Sequence, residues 1–454
     1  MSKKHEMDMT EGPILKKLII FALPLMFSGI LQLLFNAADI VVVGKFAGSL
    51  SLAAVGSTSS LISLIVNLFI GISTGANVLA ARYFSSKENN NLSDCVHTAV
   101  TLSMILGVFV GFLGFFLSTP MLSLMNTDPE VLPLASLYLK IYFLGVPATV
   151  VYNFSAAILR AIGDTERPLK FLSIAGIINV ILNLITVIGF HMGVAGVAIA
   201  TTVSQYVAAT LVITCLIHSE GAYRLFPKKL RIRKDMLLKT LTLGIPAGLQ
   251  STLFALANVS IQSSVNSFGA VVMAGNSAAA NLEGFVYTAM NSLYHATLCF
   301  VSQNIGAKRY GRLNRIVATC AGIVTVVGLT LAALVYLFGP QLLGMYVSKT
   351  DPNRDGVIAT AMIRISIVVL TYFLCGLMEV GCGAIRGLGK SWTSLVISLL
   401  GACAFRILWN VTVFAAIPTL ECLYLAWPIS WILTSAALFI AYFISHKKLL
   451  KQLH

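Results

Sequence analysis

A chain of 454 residues that is 57% hydrophobic and only 11% charged, with a mean hydropathy of +0.88, lies far outside the composition of a water-soluble globular domain. It reads as a polytopic membrane protein. The formal net charge of +14 would suit a nucleic-acid partner, but the placement of the basic residues decides against one.

The N-terminus has lysines before an apolar run, as a secretion signal does, but the run continues well past about 15 residues without a small-residue cleavage site, so it is read as the first span. Windows of about 20 apolar residues, the length that crosses a bilayer, fall roughly at 14–43, 52–81, 93–117, 132–158, 168–190 and 194–217. A second set lies at roughly 236–264, 271–303, 314–338, 357–384, 391–415 and 420–444. The expected fold is therefore all-α, with twelve transmembrane helices in two six-helix bundles. The domain division is 1–218 for the first bundle, 219–235 for a cytoplasmic linker and 236–454 for the second bundle.

When loops are assigned alternately to the two sides, basic groups from Lys3, Lys4, Lys16 and Lys17 onward, through the run Arg224 to Lys239 and on to Lys451, share one side. Only Lys45, Lys140, Lys349, Arg354, Arg364 and Arg406 are left over. This is the positive-inside bias, and it places both termini in the cytoplasm of a plasma-membrane protein. No loop is long enough for a soluble domain, and no GxxxxGK[ST] motif is present, so an ion gradient is the expected energy source, with no cofactor. The eight cysteines show no CxxC or Cys/His spacing and read as packing residues.

The halves repeat one another. Leu159 to Gly163 reads LRAIG and Ile385 to Gly389 reads IRGLG; Gly244-Ile245-Pro246 echoes Ala22-Leu23-Pro24, Asn258 echoes Asn36, and Lys308 to Leu313 echoes Lys87 to Leu92. Because each half has an even number of spans, the bundles should be related by a pseudo-twofold axis along the membrane normal, with a substrate site shared between them. Pro24 and Pro246 fall inside the first span of each half, as ordinary kinks or as hinges.

Charges inside spans carry the functional reading, since each costs about 2.5–3.5 kcal/mol near the bilayer centre. In the first span Ser28, Gln32, Asn36 and Asp39 share one face at i, i+4, i+8 and i+11. A carboxylate taken out of water must be protonated or hold a cation, so Asp39 is read as a cation or proton site, with Na+ as a possible metal. Interhelical hydrogen bonding is the plainer alternative for the stripe. Asn179 and Asn183, four apart in the fifth span, are read either as further ion ligands or as interhelical hydrogen-bond partners.

The eighth span carries Glu283, Tyr287, Asn291 and Tyr294 at the same spacing, an acidic and aromatic face that suits an organic cation. An ion pair between Glu283 and Arg406, which differ by only about 5 Å in depth, is an equal alternative. Glu379 is a poor match for Arg406 and reads as a proton-linked or substrate residue, with hydrogen bonding to a neighbouring helix as the alternative. Gln250 and Asn258, in the seventh span, complete the expected substrate surface.

These residues together resemble the multidrug and toxic compound extrusion (MATE) family. The resemblance rests on Ala22-Leu23-Pro24, Ala38-Asp39 with Gly44 and Gly48, Leu159-Arg160 through Gly163-Asp164-Thr165, Asn179 and Asn183, Gly244-Ile245-Pro246, Gln303-Asn304 through Gly306-Ala307, and Ile385-Arg386-Gly387 with Gly389. It implies two six-helix bundles forming a cleft that alternates access, a monomeric exporter of small organic cations or drugs, and antiport with Na+ or H+ at the membrane aspartate matched by Asp39. Gln250 stands in the region where sodium-coupled members often carry a carboxylate, which leaves the ion open between Na+ and H+. The rival within the same superfamily is a lipid-linked oligosaccharide flippase; its cleft should be cationic, and by depth only Arg406 is expected to lie deep. The remaining expected partners are membrane lipids.

Overall fold

The computed structural model describes residues 6–346 and 352–451, apart from the side chains of Val259 and Ser260. Lys3, Lys4 and Lys349 lie outside the described residues. The chain is all-helical. The first half contains α1 (Ile14–Val42), α2 (Ser49–Ser85), α3 (Asn89–Leu124), α4 (Leu132–Ala161), α5 (Glu166–Asn183) and α6 (Gly193–Ile217). The second contains α7 (Lys234–Asn266), α8 (Ala270–Gly306), α9 (Leu313–Leu337), the short α10 (Gly339–Leu343), α11 (Arg354–Arg364), α12 (Tyr372–Gly387), α13 (Ser391–Ser398), α14 (Phe405–Trp409) and α15 (Leu420–Lys451).

Among the described residues ten helical stretches are long and apolar enough to cross a membrane, and α11 with α12, bent by 41° at their junction, makes an eleventh. The 37-residue α8 is long enough to be the twelfth, but Asn276, Glu283, Asn291 and His295 dilute its hydropathy. Its polarity is the sequence signature of an interior-facing helix rather than a lipid-facing one.

The internal repeat is written into the backbone as well as the sequence. Gly48 (φ +86°) is matched by Gly269 (φ +93°), Lys87 (φ +60°) by Lys308 (φ +56°), and Gly163 (φ +92°) by Gly389 (φ +81°). Left-handed backbone is costly for a lysine, so its recurrence at equivalent helix ends means that both halves use the same turn geometry.

Two compact units result, and their boundaries differ from a cut at residues 218 and 236. The first comprises Met1–Asp8 and Phe27–Gly248; the second comprises Met9–Met26 and Leu249–His454. Helices α1 and α7 are thus each divided between units, two residues beyond Pro24 and Pro246 respectively. Within the first unit the opening part of α7 lies against α2 with almost no spacing: a Cβ on Gly75 would stand 2.1 Å from the Thr240 carbonyl oxygen, and one on Gly244 would stand 2.2 Å from that of Ile72. Only glycine permits this approach.

The segment read as a linker is docked on the first unit. His97, almost wholly buried, accepts the Phe226 amide at 3.0 Å through Nε2 while its Nδ1 meets the Ser93 carbonyl at 2.7 Å. Arg231 and Arg233 both reach Asp94, at 2.9 and 2.6 Å. In the second unit the chain ahead of α1 is held by Gln303, which accepts the Met9 amide, and by Asn304, which donates to the Met9 carbonyl, each at 3.0 Å.

Candidate functional site

In the first unit, α1, α5 and α6 converge on Asp39. Their approach is set one turn earlier, where Gly176 of α5 gives way to the Phe35 ring of α1; a Cβ there would stand 1.8 Å from a ring carbon. Asp39 stands one turn further along α1, and Asn179 and Asn183 stand one and two turns further along α5. Asn183 donates through Nδ2 to Asp39 Oδ1 at 2.5 Å and to Asn179 Oδ1 at 3.3 Å. Asn179 donates to Thr201 Oγ1 at 3.4 Å, and the Thr201 hydroxyl also bonds Asp39.

Asn183 is 0% exposed and Asn179 5%, while Asp39 is half-buried. The Asn183 Oδ1 atom is buried without a hydrogen-bond partner. The cluster therefore collects one carboxylate, two amide oxygens and a hydroxyl oxygen, the hard-oxygen donor type that alkali and alkaline-earth cations take. The same carboxylate also accepts a proton. Among the described residues no group of three or more His, Cys, Asp or Glu side chains stands together as a transition-metal site would need. π-helical turns follow directly on both sides, Val43–Ala47 after α1 and Leu184–Gly189 after Asn183, a local geometry common at functional positions. Gln32 and Asn36, expected alongside Asp39, are exposed and make no side-chain hydrogen bond among the described residues.

The second unit is arranged differently from the expectation. Glu283 does not pair with Arg406. Its Oε2 accepts from Arg364, at 2.6 Å from Nη2 and 3.1 Å from Nε, because α11 packs along α8 and brings Arg364 to that depth. Arg364 also donates to Asn276 Oδ1 at 2.6 Å, an acceptor shared with the Tyr424 hydroxyl at 3.1 Å, and Asn276 in turn donates to Gln262 at 3.0 Å. Arg406 donates to Ser430 Oγ at 2.9 Å and lies over the Trp427 and Trp431 rings, 5.3 and 5.7 Å from their centroids.

Gln250, expected on a substrate surface, is buried; Arg386 donates to its Oε1 at 2.7 Å and to the Tyr294 hydroxyl at 2.5 Å. The IRGLG arginine is thus turned into the unit and takes Gln250 with it. Arg364, Arg386 and Arg406 are all buried, so Arg406 is not the single deep cation. Each is engaged by partners of its own unit. Tyr287 is 40% exposed with Asn291 against its hydroxyl at 3.4 Å, and Asn258 is exposed on α7. Glu379 is half-buried, within electrostatic reach of Tyr287, Tyr294 and Arg386, and makes no hydrogen bond among the described residues.

Thr201, Arg364 and Asn276 were not singled out from the sequence. A threonine gives no signal on an apolar helix, since its hydroxyl is normally satisfied by its own backbone. Asn276 and Arg364 do carry a signal, as polar residues well inside spans.

Two duplicated helical units, one with an oxygen-rich carboxylate cluster and the other with an unpaired acid beside aromatic rings, are the arrangement of a multi-pass membrane transporter. The MatE family model matches residues 24–185 and 246–412, once in each half. The chain belongs to the MATE family of multidrug efflux transporters, and is a transporter rather than an enzyme. It is 28% identical over 399 residues to the "Probable multidrug resistance protein YpnP" of Bacillus subtilis, with 88% of each chain covered. Its identity to the multidrug export protein MepA of Staphylococcus aureus is 22% over 398 residues, covering 88% and 87% of the two chains. Among solved structures it is similar to a MATE transporter in complex with MaL6, and to one in an outward-facing conformation described as belonging to the MOP superfamily. Both matches have a TM-score of 0.90, 20% identity and 98% coverage of either chain, and show a common fold.

Proposed function

We propose that this transporter exports cationic or amphipathic organic compounds across the plasma membrane in antiport with Na+ or H+, by alternating access, with both termini in the cytoplasm. The observation that carries the coupling half is the Asp39 cluster, where an acid is ringed by Asn179, Asn183 and Thr201 and one buried amide oxygen, Asn183 Oδ1, is left without a partner. A cation would use that oxygen, and a proton on Asp39 would neutralise the site without it.

The substrate half rests on Glu379, with Tyr287, Asn291 and Asn258 as the polar and aromatic surface available to a drug. An acid without a salt bridge beside tyrosine rings attracts an organic cation by charge and by cation–π contact. The relatives' names, which speak of multidrug resistance and export, agree with this reading. Ion binding at Asp39 would alter how α1 packs on α5 and α6, and Pro24, two residues before the point at which α1 changes unit, is placed to act as its hinge. The flippase alternative is disfavoured because the three buried arginines Arg364, Arg386 and Arg406 are each held by neighbours within their own unit and are not offered to a pyrophosphate.

The test is efflux of a cationic dye from vesicles containing the purified protein, with sodium and proton gradients imposed separately. Dye extrusion driven by one of them supports the proposal. A dye flux indifferent to both gradients refutes it.

A further inference from the structure

Within the second unit, the first part of α1 and helices α8 and α9 leave an apolar groove of about 640 Å3. The α1 wall consists of Leu15, Leu18, Ile19, Ala22, Leu23 and Met26, one face of a helix at i, i+3 and i+4 spacing. Helix α9 supplies Thr319, Gly322 and Ile323, and nothing lies within 4 Å of where a Cβ on Gly322 would stand. The two hydroxyls in the wall donate to their own helices, Ser292 to the Ala289 carbonyl and Thr319 to that of Arg315, each at 2.7 Å. No side-chain donor of the wall is left to recognise a polar ligand.

One end of the groove is basic. Arg315 lies one turn from Thr319 on the same face of α9, and Lys16 follows Leu15 on α1; both are exposed, and neither side chain forms a hydrogen bond or ion pair among the described residues. Arg312, a further turn away, donates to the Gly12 carbonyl at 3.0 Å and keeps a buried Nε without a partner. Glu11, an acid of this end, is already paired with Arg309 at 3.0 Å.

Length identifies the occupant. From Leu15 to Met26 the wall runs about 16 Å at 1.5 Å per residue, against about 15 Å for one leaflet of a bilayer's hydrocarbon core. We infer that the groove holds an acyl chain of an anionic phospholipid whose phosphate is bound by Arg315 and Lys16. The lipid reaches Met26, the last residue of α1 in the second unit, and so braces the stretch of α1 that ends just beyond Pro24.

The experiment is native mass spectrometry of the full chain in neutral detergent, titrated with phosphatidylglycerol or phosphatidylcholine. The wild type should retain one phosphatidylglycerol at concentrations where phosphatidylcholine is lost. Gly322→Leu, which fills the void and favours helix, should lose that adduct. Lys16→Gln with Arg315→Gln leaves the groove intact and should weaken phosphatidylglycerol by about fivefold per charge removed, the contribution of one basic residue near an anionic surface. Lys170→Gln, on α5 of the other unit, should bind as the wild type does. Equal retention of the two lipids by the wild type would overturn the inference, as would an undiminished adduct in Gly322→Leu or one unaffected by loss of both cations.

Discussion

Asn183 reaches Asp39 across 144 positions of sequence, and the bond between them lies in a site where the asparagine is fully buried and the aspartate only half so. The amide is therefore fixed by packing while the carboxylate keeps an open side. That asymmetry is what an exchangeable ion needs: a rigid ligand on one side and an accessible one on the other.

Asn183→Leu keeps a side chain of similar bulk and removes both the donor to Asp39 and the free amide oxygen. Loss of one hydrogen bond to a charged group costs about 1.5–3 kcal/mol. We expect gradient-driven efflux to fall at least tenfold while membrane insertion is retained, as read by dye extrusion normalised to the amount of protein in the vesicles. Wild-type efflux in this variant would remove Asn183 from the site.

The Glu283–Arg364 pair gives a stability prediction. Removing one partner of a buried ion pair costs about 3–5 kcal/mol, whereas replacing both is often close to neutral. Arg364→Met should lower the melting temperature sharply, and Arg364→Met with Glu283→Gln should recover most of the loss. Thermal unfolding in detergent reads the cycle, and additive single effects would show that the two residues act independently.

Glycine at the α2–α7 approach is a second stability test. Gly75→Ala places a Cβ against the Thr240 carbonyl and should cost about 1–3 kcal/mol by overpacking. Gly56→Ala, on the same helix with no atom within 4 Å, should be neutral or stabilising. A melting temperature equally insensitive to both changes would contradict the packing described.

Glu379→Gln removes the charge from the unpaired acid of the second unit. Uptake or binding of a cationic dye should weaken roughly tenfold, the effect of about 1.4 kcal/mol, while a neutral amphipathic dye should be affected much less. Equal losses for both dyes would assign Glu379 to structure instead of substrate.

The parts of this arrangement differ in how visible they were in the amino-acid order. Helical content follows from hydropathy alone, and the duplication shows in LRAIG and IRGLG because the turn after each helix needs a glycine in left-handed backbone. Asp39, Asn179 and Asn183 stand out because polar residues at helical spacing inside apolar spans are expensive. Arg364 lies inside the tenth span, but along straight spans Arg406 is the closer match in depth to Glu283. The tenth span is bent, and its packing on α8 sets the partner of Glu283. Gln250 is not on a substrate surface because Arg386, just past the end of the tenth apolar run, turns into the unit and bonds it. The division of α1 and α7 between units is a matter of tertiary contact, to which Pro24 and Pro246 point only as local irregularities.

The central claim is that Asp39 couples the ion gradient to export, and Asp39→Asn tests it most directly. The variant keeps the shape of the side chain and some of its hydrogen bonding, but it neither titrates nor carries charge. In vesicles with a sodium or proton gradient, dye efflux should fall to the level of protein-free vesicles, while dye binding to the detergent-solubilised variant persists. Gradient-driven efflux at the wild-type rate in Asp39→Asn would contradict the account.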